Sequence, residues 1–138
     1  MTSRCLNTSR RTFLQTAAAI TALANLPFAA FAQSGTKYKI GIIGSGKVGG
    51  AIGGAWVKAG HEVMFSSLDL EADKKLAASL GGKASAGTTR EAATFGTVLL
   101  LSVPYAAVPG IAKDVGGLVK GKIVIDTSNP IVARDGEV

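Results

Sequence analysis

The sequence predicts an α/β fold: a doubly wound parallel sheet of about five strands in the order 3-2-1-4-5, preceded by an N-terminal signal. Three observations carry the prediction. Short β-branched, apolar runs alternate with longer segments whose apolar residues recur at helical spacing. Gly or Pro stands at most of the boundaries between them. One run, residues 97–103, is apolar throughout except for its first residue, Thr97, and Ser102, as suits a central strand buried on both faces.

Residues 37–43 form the first strand, ended by Gly44. Residues 47–59 are small and apolar, and Gly60 closes them as a helix C-cap does. Residues 61–65 are the second strand. Asp69 is an N-cap for a helix over residues 70–80, with apolar residues at 72, 76, 77 and 80, and Gly81-Gly82 stops it. Residues 83–86 are a weak third strand, and residues 89–95 a short helix before Gly96. Pro104 ends the fourth strand. Residues 105–115 are a helix interrupted by Pro109 near its start, and residues 122–126 are the last strand, running into Thr127-Ser128-Asn129-Pro130. Strands separated by helices connect by right-handed crossovers.

The first 32 residues are an address before they are a structure. Ser9-Arg10-Arg11-Thr12-Phe13-Leu14 is followed by an alanine-rich apolar stretch, with no charge from Thr12 to Thr36, and Ala30-Phe31-Ala32 offers small residues for cleavage. The paired arginines resemble the twin-arginine export motif. The expected division is a signal peptide over 1–32, a tether over 33–36 and a domain over 37–138, exported to the bacterial periplasm by the twin-arginine machinery. The alternative is a membrane anchor, because 25 uncharged residues are long enough to span a bilayer.

Charge excludes a nucleic-acid function. The net charge of +6 includes three arginines among the first eleven residues, and the basic residues that remain are dispersed without interleaved aromatics. The only Cys, Cys5, lies in the signal, so a disulfide, thiol nucleophile or thiolate metal site has no place in the domain. One His and scattered carboxylates give no metal site. That His, His61, has no partner that would make it a base and suits a turn; Trp56 falls with Ile52 on the inward side of the first helix.

Chemistry is legible at the first turn. Gly44-Ser45-Gly46-Lys47-Val48-Gly49 fits G-x-G-x-x-G between a strand and a helix, the setting in which that pattern binds a dinucleotide. Gly44 permits the turn, Gly46 lets backbone N–H groups approach a pyrophosphate, and Gly49 lets the helix lie on the sheet. An acid at the end of the second strand would hold the ribose hydroxyls of NAD. Ser66 and Ser67 stand there instead. As hydrogen-bond donors beside Lys47 they favour the 2′-phosphate of NADP over NAD; the alternative is an ordinary polar turn.

From Lys39 to Val138 the chain resembles the NADP-binding domain of coenzyme F-420-dependent NADP oxidoreductases, a Rossmann-type domain class that also opens pyrroline-5-carboxylate reductases. The segments that carry the resemblance are Ile40-Gly-Ile-Ile-Gly-Ser-Gly-Lys-Val-Gly-Gly50, Gly60-His-Glu-Val63, Ser102-Val-Pro104 and Ile123-Val-Ile-Asp-Thr-Ser-Asn-Pro130. The resemblance implies that Gly44, Ser45, Gly46, Lys47, Val48 and Gly49 hold the pyrophosphate and that Ser66 and Ser67 meet the 2′-phosphate. It also implies that Ser102, Val103 and Pro104 lie beside the nicotinamide ribose, with Asn129 and Pro130 at the edge of the nicotinamide pocket. It departs from the family at Ser67, where relatives commonly carry Arg, and at Val138, where relatives continue into the acceptor side.

Two functions follow as expectations. The first is an oxidoreductase domain passing hydride between the nicotinamide of NADP(H) and a small-molecule acceptor such as coenzyme F-420, with no separate catalytic acid or base, and completed by self-association where the chain lacks a substrate part. The second is a nucleotide-binding module without catalysis, or a fragment of a longer reductase.

Overall fold

Five parallel strands, β1 (Lys39–Ile43), β2 (Glu62–Ser66), β3 (Ala84–Ala86), β4 (Val98–Leu101) and β5 (Ile123–Asp126), pair in the order β3-β2-β1-β4-β5. This is the predicted Rossmann-like order, seen in a computed structural model that describes residues 35–131. The export signal and the first two residues of the tether lie outside the described residues. Among the described residues, no helix is long and apolar enough to cross a membrane.

The helices are α1 (Lys47–Lys58), α2 (Leu70–Leu80), α3 (Thr89–Phe95) and α4 (Val108–Val115). One face of the sheet buries Ile42, Phe65 and Leu100 against Val57 of α1 and Ala77 of α2, with Trp56 packed at the margin. The other face buries Ile43 against Ala93 of α3 and Val115 of α4. Two covered faces explain why β1 and β4 are nearly continuous apolar runs. β5 forms the edge of the sheet, and all four of its residues are exposed. His61 has a structural part: its Nδ1 accepts the Tyr38 N–H at 3.2 Å.

Three local expectations change. β4 stops at Leu101, because the chain turns after the Ser102 N–H bonds the Ile43 carbonyl at 2.8 Å. Residues 105–107 form a 3₁₀ turn, and Pro109 sits in the first turn of α4 rather than interrupting a longer helix. The first turn has no intrahelical partner for an N–H, so proline fits there. On α2 the inward stripe is 73, 76, 77 and 80, since Ala72 is exposed and Asp73 is buried.

α3 begins with a capping box. The Glu91 N–H bonds the Thr88 hydroxyl, and the Thr88 N–H bonds the Glu91 carboxylate at 2.7 Å. Thr88→Ala is expected to lower stability by about 1 kcal/mol in urea unfolding. The backbone N–H and hydroxyl of Thr88 hold the Glu91 carboxyl below its ordinary value of 4.5. The folded-state pKa is the lower one, so this stabilisation is present above the ordinary value and is lost as pH falls through the folded one. Unfolding of wild type and Thr88→Ala at pH 7 and pH 3 should show their difference shrinking at the lower pH.

Candidate functional site

The carboxyl end of β1 turns through Gly44, Ser45 and Gly46 into α1, and two of the motif glycines are demanded by the fold itself. Gly44 has φ +98°, and a Cβ there would lie 2.2 Å from the Ser102 carbonyl oxygen. A Cβ on Gly49 would lie 2.0 Å from the Gly44 carbonyl oxygen. Gly46 differs: its φ is −64°, and among the described residues a Cβ would meet nothing within 4 Å. The packing of the chain gives no reason for glycine there, whereas a ligand brought against the backbone would.

Gly46 is also the N-cap of α1, with no side-chain hydrogen bond at the cap and no acid in the first turn. α2 and α3 are both capped, by Asp69 and Thr88. The first N–H groups of a helix lack intrahelical partners, and the dipole adds positive character, so the start of α1 is prepared for an anion.

Two clefts meet at this turn. One, of about 480 Å³, includes Gly44, Gly46, Ser67, Leu68, Asp69 and Thr89 in its wall. The other, of about 290 Å³, includes Gly46, Lys47, Val48, Thr127, Asn129 and Ile131. Both share Gly46, Ser102, Val103 and Pro104. They lie beyond the carboxyl ends of the strands, where strand order reverses between β1 and β4. Two lobes joined at an anion-ready turn match a molecule of two nucleosides joined by a pyrophosphate.

The structure brings most of the expected residues together. Gly44, Gly46, Ser67, Ser102, Val103 and Pro104 line the larger lobe; Lys47, Val48 and Asn129 line the smaller one. Gly49 is buried beneath the turn. Ser66 has a different part. It is fully buried, its hydroxyl donates to the Ile42 carbonyl at 2.7 Å, and its own carbonyl accepts the Gly44 and Ser45 N–H groups at 2.8 and 3.1 Å. It latches the turn to β2, leaving Ser67 as the serine in the cleft wall. Pro130 is exposed and lines neither lobe.

One residue escaped sequence reasoning. Asp73 is 2% exposed, and its two carboxylate oxygens accept hydrogen bonds from two hydroxyls: Ser45 on one, and Ser67 at 2.9 Å on the other. A buried carboxylate requires such partners. They tie α2 both to the glycine turn and to the end of β2. Its signal was an acid in register with the apolar residues 76, 77 and 80.

Beside the smaller lobe, Asp126 organises the turn after β5. The Ser128 hydroxyl and N–H donate to its carboxylate and hold its carboxyl below the ordinary range.

A family model described as NADP oxidoreductase coenzyme F420-dependent matches residues 39–130. No curated protein matches. Among solved structures, a protein described as an F420-dependent NADP-reductase from Arthrobacter is 22% identical, with a TM-score of 0.60 over 67% of this chain and 46% of that one. An imine reductase variant from Myxococcus stipitatus in complex with NAD+ is 22% identical, with a TM-score of 0.62 over 71% of this chain and 34% of that one. A 3-hydroxyisobutyrate dehydrogenase from Mycobacterium tuberculosis is 24% identical, with a TM-score of 0.59 over 71% and 34%. At such identities the likeness is one of fold, and this chain spans less than half the length of each.

Proposed function

The chain belongs to the coenzyme F420-dependent NADP oxidoreductase family, and from that premise we propose that it binds a nicotinamide dinucleotide and serves hydride transfer to a second, flat acceptor. The observation that carries the proposal is Gly46, a glycine with open space in place of a Cβ at the uncapped start of α1. The residues fit the group they would hold. The N–H groups at the start of α1 bind the pyrophosphate. Ser67 and its neighbours receive the adenosine half, and Ser102, Val103, Pro104 and Asn129 form the wall for the nicotinamide half. When bound, the nicotinamide supplies a hydride at C4, and coenzyme F-420 is the acceptor that family membership favours. The chain's own work is binding, orientation and exclusion of water, so no acid–base pair is required.

The test follows the absorbance of reduced nicotinamide over time in a mixture with coenzyme F-420 and the full chain. Oxidation of NADPH or NADH coupled to reduction of F-420 is the expected result. Binding without turnover would move the assignment to the non-catalytic nucleotide-binding module.

A further inference from the structure

We infer that Asp73 selects the dinucleotide at this site by turning Ser67 into a hydrogen-bond acceptor, which favours the free 2′-hydroxyl of NAD over the 2′-phosphate of NADP; the inference rests on the dinucleotide binding proposed above.

A serine hydroxyl has one proton to donate. Ser67 Oγ donates to Asp73 Oδ2 at 2.9 Å, with the Asp69 carbonyl as its other acceptor at 3.3 Å. It also accepts the Asp69 N–H at 3.1 Å. Its proton is therefore held within the chain, and what it offers a ligand is a lone pair. The other carboxylate oxygen, Asp73 Oδ1, is taken by the Ser45 hydroxyl, so the carboxylate is held in place from both sides. A ribose hydroxyl can donate to the Ser67 oxygen. A phosphate dianion presents only acceptors, so lone pairs would face lone pairs.

Charge points the same way. Asp69 lines this lobe, Asp73 lies directly behind Ser67, and no Lys or Arg is among the described residues that line it. Lys47, which the sequence suggested as a partner for the 2′-phosphate, lines the other lobe. An acid near the end of the second strand is the feature that selects NAD in this fold class. Here β2 ends in serines, and α2 delivers the carboxylate behind them. Asp73 is thus a positioning residue: it acts through Ser67 without lining the cleft.

The test is calorimetric titration of the full chain with NADH and with NADPH, repeated on Asp73→Asn. The expected result is NADH binding at least tenfold tighter than NADPH in the unaltered chain. In Asp73→Asn the charge is gone and a serine proton is released, so that preference should fall at least tenfold. A purely structural part for Asp73 would weaken both ligands equally and would overturn the inference. So would NADPH binding as tightly as NADH to the unaltered chain, while leaving dinucleotide binding intact. A folded chain that binds neither overturns both. If Asp73→Asn does not fold, ADP-ribose against 2′-phospho-ADP-ribose on the unaltered chain decides it: tighter binding of the unphosphorylated ligand supports the inference, and the reverse order overturns it.

Discussion

Gly46→Asp is expected to weaken dinucleotide binding severely and leave the fold intact. Among the described residues a Cβ at this position meets nothing within 4 Å, so the side chain has room to start. Asp is a good N-cap, and α1 has no side-chain cap of its own. The helix should therefore hold or gain stability, by up to about 1 kcal/mol. The same carboxylate would occupy the N–H groups that the pyrophosphate needs and would repel its charge. Losing contacts to a charged group and adding a like charge should weaken binding by roughly 3 kcal/mol, on the order of a hundredfold or more. Thermal unfolding and titration of the same sample measure the two effects separately. A variant that binds as the unaltered chain does would remove the pyrophosphate from this turn.

Gly49→Val, three residues on, should do the opposite. The glycine faces a backbone oxygen at 2.0 Å from where Cβ would stand, and backbone moves only if the turn moves. The helix would have to lift from the sheet, exposing the contacts of Ile42 and Phe65 with α1. A cost of about 3 kcal/mol or more is expected, against roughly 5–15 kcal/mol for a whole domain. Urea unfolding should show a midpoint far below that of Gly46→Asp. Equal midpoints would mean that the close approach of α1 to the turn does not hold in solution.

The sheet order and nearly all the elements were legible because each boundary carried its own punctuation and because the apolar run at 97–103 had only one place to go. Side-chain direction was less legible. Ser66 and Ser67 are adjacent, and sequence alone does not say which one faces the cleft. The latch between the Ser66 carbonyl and the Gly44 and Ser45 N–H groups decides it. Asp73 was hidden for a related reason: an acid near a helix start reads as solvated, while the hydroxyls that allow its burial come from 28 and 6 residues away. Lys47 follows the same pattern. Its place at the helix start was clear, but the lobe it lines depends on how α1 leaves the turn. Pro109 breaks a helix only if the 3₁₀ turn at residues 105–107 counts as part of it; counted from Val108, it stands in the first turn.

The central claim is that the open start of α1 binds the pyrophosphate of a nicotinamide dinucleotide. Its most direct measurement is a calorimetric titration of the folded full chain with NADH. Saturable binding of one NADH per chain, displaced by ADP-ribose, is the predicted result. A folded chain that takes up no heat of binding at millimolar NADH would contradict it.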